Sequence, residues 1–336
     1  MTAPSIGALA AAAVSPPFDP VAERSRLSGL EQWLADPDVT EVLVNGGHEV
    51  WVERAGVLSR VGTMRPPAVL AAVEQMLLPI GRRLDRASPT VDARLADGSR
   101  VCAVIPPVAV DGPTVAIRRF AVRPIPLSAF APADVVALVG QLVVQRCNVL
   151  VSGPTSSGKT TLLNALAGRI DAGERLITLE DIAELRLDHR HVVRLETRPA
   201  TPDGVGAVGL ADLVRTALRL RPDRLVVGEV RGSEAIELLQ AMNTGHDGSL
   251  STIHANAAGD ALARLASLVV QHAPGWPLGA VHEHVRRAID VVVHVVRSAD
   301  GHRRIAAVVE VAEGDGAGRL LADERGVAGE LRRGRR

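Results

Sequence analysis

The run Gly153-Pro154-Thr155-Ser156-Ser157-Gly158-Lys159-Thr160, with Thr161 behind it, constrains this chain more than any other stretch. It fits G-x-x-x-x-G-K-[ST] at every fixed position. An apolar run over 148–152 precedes it and a helical pattern over 162–170 follows. That strand–loop–helix setting separates a phosphate-binding loop from a chance glycine-rich turn. The glycines let successive backbone N–H groups face a phosphate chain, and the helix adds the positive end of its dipole. In such a loop Lys159 reaches the β- and γ-phosphates and the Thr160 hydroxyl holds Mg²⁺. Lys159 is also the only lysine in 336 residues. An ammonium is a compact point charge that fits inside the loop, whereas a guanidinium is a wide planar fork. ATP with Mg²⁺ is the expected ligand, held by residues 153–161.

Around the loop, apolar runs alternate with helical patterns. Strands are predicted at 148–152, 176–179, 192–195, 224–227 and 250–253. Helices are predicted at 135–146, 162–170, 210–220, 234–242, 257–271 and 278–288. A last hairpin, 291–296 with 305–311, turns at Ala299-Asp300-Gly301. This alternation predicts an α/β fold with a mainly parallel sheet and helices on both faces. The upstream pattern differs. It reads as a helix at 27–35, strands at 41–45, 49–53 and 57–61, and a helix at 66–80. Strands at 90–95 and 100–105 flank Ala96-Asp97-Gly98-Ser99, a hairpin signal, and another strand spans 114–120. Arg123-Pro124-Ile125-Pro126 marks a linker. The predicted division is a flexible leader (1–25), a smaller α+β domain (26–122), a linker (123–131) and a nucleotide-binding domain (132–336) with a basic tail.

Composition narrows the partners. Tyr is absent and aromatics make up 2%, so the core must be aliphatic and few rings exist to stack bases. The formal net charge is zero, and no basic stripe marks a nucleic-acid channel. Cys102 and Cys147 stand far apart, which offers neither a disulfide framework nor a zinc site and fits a cytoplasmic protein. No run reaches the ~18–20 apolar residues needed to span a bilayer. The alanine-rich segment 6–14 has no basic residue before it, so it does not read as a signal peptide. The tail Leu331-Arg332-Arg333-Gly334-Arg335-Arg336 reads as a solvated end, or as a contact for acidic lipid or a partner.

Three polar clusters end apolar strands, where an open α/β sheet places its ligand. In Leu179-Glu180-Asp181-Ile182-Ala183-Glu184, carboxylates could bind the waters of Mg²⁺ or orient an attacking water, or could simply serve a helix N-terminus. Leu225-Val226-Val227-Gly228-Glu229-Val230-Arg231 is an apolar strand ending in a carboxylate, the metal-side partner of a phosphate loop. Glu229 could hold Mg²⁺ through water or polarise the nucleophile. The third runs from Thr244-Gly245-His246-Asp247-Gly248-Ser249 to Thr252-Ile253-His254-Ala255-Asn256. A single histidine is commonly structural, but His254 closes a strand where a neutral imidazole can donate to a γ-phosphate oxygen. Arg100, Arg118 and Arg119, well upstream, are surface arginines by composition and charge-neutralising fingers in a two-domain ATPase.

Taken together, these motifs resemble those of the type II and type IV secretion ATPases. Residues 153–160 match the Walker A loop, and Ile177-Thr178-Leu179-Glu180-Asp181 the acidic "Asp box". Residues 225–232 match the atypical Walker B, and 244–256 the "His box". The resemblance covers about 27–310. Ser88-Pro89-Thr90-Val91-Asp92-Ala93-Arg94-Leu95, Asp97-Gly98-Ser99-Arg100-Val101, residues 103–107 and 112–120 further resemble the CpaF/TadA-type ATPases of tight-adherence (Flp) pili. The tetracysteine zinc insertion of the type II branch is missing.

The resemblance implies a RecA-like ATPase domain working as a homohexameric ring. Its partners would be inner-membrane platform proteins, at the inner face of the cytoplasmic membrane. It implies that Lys159 cradles the phosphates and Thr160 and Glu229 hold Mg²⁺. Glu229, helped by Glu180, would position water, and His254 would sense the γ-phosphate. Arg100 and Arg118 would stabilise developing charge from the N-terminal domain. The work would be pilus assembly or protein secretion. Two rivals are a conjugative DNA-transfer or other nucleic-acid motor, and an ATP-gated assembly scaffold with little turnover.

Overall fold

The computed structural model describes residues 29–54, 56–119, 125–200, 204–298, 301–312 and 318–332. The predicted leader, Phe120, the turn residues Ala299 and Asp300, part of the linker and Arg333 to Arg336 lie outside them. The chain divides into two compact units, Met1–Ala121 and Val122–Arg336.

In the first unit a short helix, α1 (Glu31–Leu34), precedes β1 (Val39–Asn45), β2 (Glu49–Arg54) and β3 (Val57–Thr63). Then come α2 (Pro66–Leu77), β4 (Thr90–Arg94), β5 (Arg100–Val104) and β6 (Thr114–Arg118). The sheet order is β3-β2-β1-β6-β5-β4, and every pairing is antiparallel. Period-two alternation sends Val42, Val44, Val50, Val52, Val101, Ala103, Val115 and Ile117 to one face. There they pack with Leu34, Val69, Val73 and Met76 in an aliphatic core, as the scarcity of aromatics requires. The β4–β5 turn is held by Asp97, whose carboxylate accepts the Ser99 N–H (2.8 Å) and hydroxyl (2.9 Å), with Gly98 at φ +88°.

The second unit begins with α3 (Ala133–Val144), β7 (Val149–Gly153), α4 (Lys159–Ala167), β8 (Leu176–Glu180) and β9 (Val192–Glu196). It continues with α5 (Leu210–Ala217), β10 (Arg224–Val227), α6 (Glu234–Asn243), β11 (Leu250–His254), α7 (Ala258–His272) and α8 (Leu278–Ala288). It closes with β12 (Val291–Arg297), β13 (Arg303–Glu310), β14 (Arg319–Asp323) and β15 (Gly326–Val327). Nine strands run in the order β15-β14-β13-β12-β7-β11-β10-β8-β9. The six from β12 to β9 are parallel; β13 to β15 extend the sheet antiparallel. Helices α5 to α8 cover one face and α3 and α4 the other. That explains why β7 and β8 are buried at every residue and read as continuous apolar runs.

Details differ from the sequence reading, such as the first helix, which spans Glu31–Leu34 rather than 27–35. Helix α4 begins at Lys159 rather than at 162. The basic tail is preceded by the β14–β15 hairpin, which the sequence reading did not contain. Asp134 of α3 anchors it by accepting the Val327 N–H (3.0 Å). Strand β15 has only two residues, and the apolar residues of β14, Leu320 to Ala322, are adjacent rather than alternating.

Candidate active site

The open parallel sheet brings the C-terminal ends of β7, β11, β10 and β8 to one edge. β7 runs into the phosphate loop, which turns through left-handed backbone at Ser156 (φ 60°) and Gly158 (φ +99°) before α4 starts. Space requires the first fixed glycine, and left-handed torsion the second. A Cβ at Gly153 would stand 2.3 Å from the Val295 carbonyl oxygen, and one at Gly158 would stand 2.5 Å from Arg303 Cδ. The Ser157 hydroxyl is buried in the loop and is among the buried polar atoms without a partner in the described residues. A buried hydroxyl left unsatisfied is costly, and a phosphate oxygen is a fitting partner.

Lys159 opens α4 almost fully buried. Its Nζ donates to the Gly153 and Pro154 carbonyls (3.1 and 2.9 Å) and lies 3.2 Å from His254 Nδ1. Burial lowers its pKa and the Glu229 charge works against that. His254 ends β11 directly across from Gly153. Its Nε2 stands 3.1 Å from Glu229 Oε1. Burial lowers its pKa also, with Glu229 opposing, so the imidazole is neutral. Nδ1 then accepts from Lys159 and Nε2–H donates to Glu229. Three side chains, one opening α4 and two at or just past strand ends, therefore form one hydrogen-bonded line, Lys159 to His254 to Glu229.

Glu229 follows β10. Burial pushes its carboxyl up. The hydrogen bonds and charge of Arg231, with His254 and Lys159, outweigh burial and hold it below the usual carboxylate range. Arg231 grips both oxygens, at 2.7 and 2.9 Å, and reaches to 3.8 Å from Asp181. Glu180 is different. It lies at the end of β8, 3% exposed. Oε1 accepts the N–H groups of Glu184 and Leu185 (2.9 and 2.8 Å), while Oε2 is buried without a partner among the described residues. Burial pushes its pKa up to about 7 despite those two donors. A Cβ at Gly228 would fall 2.8 Å from Glu180 Cγ, so the glycine before Glu229 makes room for Glu180 beside β10.

A cleft of about 350 Å³ opens beside these groups, lined by Thr155, Glu229, Val230, Arg231, Ile253, His254 and Arg264. Arg264, on α7, is a cation the sequence reading did not single out; nothing local distinguishes it from the many other arginines. Arg303 was missed too. Its stem lies over Gly158, and its NH1 is 3.5 Å from Thr161 Oγ1. The hydroxyl of Thr160 and the carboxylate of Glu229 are hard oxygen donors, the type that suits Mg²⁺ held chiefly by phosphates and water.

The structure thus brings together residues 153–161, Glu229 and His254, with Glu180 packed against Gly228. Arg100 and Arg118 belong to the first unit. There they are register partners on β5 and β6, side by side on the sheet. Arg100 forms a bidentate ion pair with Asp92 (2.9 and 2.5 Å), and Arg118 lies opposite Glu41 of β1.

Residues 24–335 match the family described as Type II/IV secretion system protein. A Mycobacterium tuberculosis protein named for conjugal transfer is 39% identical over 300 residues, 85% of each chain. The type IV secretion system protein PtlH of Bordetella pertussis is 36% identical over 317 residues, covering 83% of this chain and 91% of its own. Among solved structures, the ATPase DotB of Legionella pneumophila superposes with a TM-score of 0.58 at 20% identity, covering 88% of this chain and 81% of that one. This last likeness concerns the fold.

Proposed function

The chain belongs to the type II/IV secretion system ATPase family, and from that premise we propose that it hydrolyses ATP with Mg²⁺ as a hexameric ring motor. The observation that carries the reading is the line Lys159–His254–Glu229 across the mouth of the phosphate loop. Backbone N–H groups of 155–161 and the Lys159 ammonium bind the β- and γ-phosphates. The Thr160 hydroxyl and Glu229 hold the metal, Glu229 partly through water. Bound there, Mg²⁺ would supply neutralisation of the phosphate charge. Glu229, ionised at neutral pH, orients the attacking water. His254, neutral, has a single N–H, which donates to Glu229 here; with nucleotide bound, that N–H would turn to the γ-phosphate and so register its loss. Glu180 supports the same edge through Gly228.

The N-terminal domain, 26–122, supplies Arg100 and Arg118, which neutralise charge on the transferring phosphoryl group once the ATPase domain, 132–336, has bound nucleotide. The motor works at the inner face of the cytoplasmic membrane, against platform proteins there. Its output is pilus assembly or protein secretion of the tight-adherence type. A second reading rests on the mycobacterial relative named for conjugal transfer: the same motor would serve a DNA-transfer machine. Single-stranded DNA that stimulates turnover with a steep salt dependence favours that reading.

The test is turnover and fluorescent-ATP binding for purified wild type, Lys159→Ala and Glu229→Gln. Lys159→Ala is expected to lose binding and turnover together. Glu229→Gln is expected to bind normally and lose about 100-fold or more in kcat, the scale for one preorganised charge-stabilising group. If both variants keep wild-type rates, the roles are wrong.

A further inference from the structure

Glu229 is a crowded carboxylate. Arg231 donates from Nε to Oε1 (2.7 Å) and from Nη2 to Oε2 (2.9 Å). His254 Nε2 is the third donor, 3.1 Å from Oε1. A carboxylate has about four lone-pair sites, so one remains, on Oε2. The guanidinium fork also sets a full positive charge against both oxygens. A carboxylate paired in this way is a poor partner for a second cation and its waters, because two cations then repel each other over one anion. Yet Glu229 is the carboxylate that serves Mg²⁺ and the attacking water in the reaction proposed above. The turn of His254 toward the γ-phosphate frees one site on Oε1 and leaves the guanidinium in place.

Three features let Arg231 leave without disturbing the fold. Its side chain is 56% exposed and that of Glu229 only 18%, so the guanidinium is the partner with room to swing. Its backbone is fixed. The N–H groups of Arg231 and Gly232 both donate to Glu234 Oε1 at the start of α6, and the Val230 N–H donates to the Thr252 carbonyl (2.8 Å). Rotation about side-chain bonds is therefore enough. Finally, Nη1, the nitrogen not used on Glu229, already lies 3.8 Å from Asp181 Oδ2. Asp181 directly follows β8 and is about half exposed.

We propose that Arg231 is a latch on Glu229: the guanidinium and Mg²⁺ compete for this carboxylate, and Asp181 is the seat that receives Arg231 when the metal prevails. The proposal deepens the ATPase reading and rests on it for the assignment of Glu229 to the metal. Arg231 acts through Glu229 and is a positioning residue. The latch ties release of the hydrolytic carboxylate to arrival of the metal with its nucleotide. It also gives Asp181, beside Glu180 in the acidic cluster, a part in the cycle.

The test is a Mg²⁺ titration of mant-AMP-PNP binding to the full chain, read as the Mg²⁺ concentration at half effect. It compares wild type, Arg231→Gln, Arg231→Lys, Asp181→Asn and the double variant Arg231→Gln/Asp181→Asn. Both side chains are about half exposed, so the variants keep the core. Arg231→Gln should lower the half-point by about three- to tenfold, the scale of a partly exposed charge-assisted pair. Arg231→Lys keeps the charge but loses the fork, and should fall between wild type and Arg231→Gln. Asp181→Asn removes the alternative seat and should raise the half-point by about two- to threefold. In the Arg231→Gln background the same change should do nothing, since no guanidinium is left to seat. Turnover at Mg²⁺ below the wild-type half-point should follow the same order. An unchanged or higher half-point in Arg231→Gln overturns the proposal. So does an Asp181→Asn effect of equal size in both backgrounds, which marks only a lost negative charge near the metal. A Lys variant that matches wild type overturns it as well, because that leaves only a field effect. If wild type binds Mg²⁺ and nucleotide but does not hydrolyse, the ATPase reading fails, while the titration still decides the latch.

Discussion

Glu180 sets the sign of one pH dependence. Its pKa stands at about 7 rather than 4.5 because burial outweighs the hydrogen bonds from Leu185 and Glu184. A carboxyl whose folded pKa lies above its unfolded value binds its proton more tightly when folded. Between pH 4.5 and 7 the folded state therefore holds more protons than the unfolded one, and stability falls as pH rises. Below that window both states are protonated and there is no penalty; above it the penalty is complete. The difference between 7 and 4.5, at about 1.36 kcal/mol per pH unit, amounts to about 3 kcal/mol. Glu180→Gln keeps an acceptor for the two N–H groups and removes the titration. Urea denaturation of wild type and variant from pH 4 to 8 isolates this group, since every other titration is shared. The variant's stability relative to wild type should grow by about 3 kcal/mol across the range, most of it between 4.5 and 7. A difference that stays flat with pH would refute the reasoning.

Two further expectations concern the site itself. Since Glu229 is held below the usual carboxylate range and lines the cleft, kcat should be flat from pH 6 to 8; a rise through about 7 that Glu180→Gln abolishes would move the water-orienting role to Glu180. Gly158→Ala should weaken mant-ADP binding and cost about 1–3 kcal/mol in urea denaturation, because it forces a left-handed residue to carry a Cβ against Arg303. Adding Arg303→Ala should relieve the contact but leave the torsional strain, so full recovery in the double variant would locate the whole cost in the clash.

Most of the fold was legible because its elements are strongly patterned. The strands that become β7, β8, β10 and β11 are short apolar runs separated by helical ones, and a sheet covered on both faces needs such runs. The β14–β15 hairpin was missed because β15 has two residues, the apolar residues of β14 do not alternate, and its anchor, Asp134, lies far away in sequence. In the site, Glu229 and His254 were legible as polar residues ending apolar strands. Arg264 and Arg303 were not, because each reaches the site from an element whose own sequence reads as ordinary helix or strand.

The sequence by itself determined the chemistry. One lysine in a glycine-bounded loop, with carboxylates and a histidine closing later strands, names phosphate-binding side chains before any coordinate is known. Tertiary structure decided their states. Glu180 and Glu229 are the same residue type at the ends of neighbouring strands, yet burial lifts one to about 7 and a guanidinium holds the other low. That difference depends on which groups lie within a few ångströms and how much water is excluded, and both are set only when β7, β8, β10, β11 and β12 come side by side. The phosphate loop's glycines show the same division: the pattern demands them, and the Val295 carbonyl supplies the steric reason for the first and left-handed backbone the torsional reason for the second.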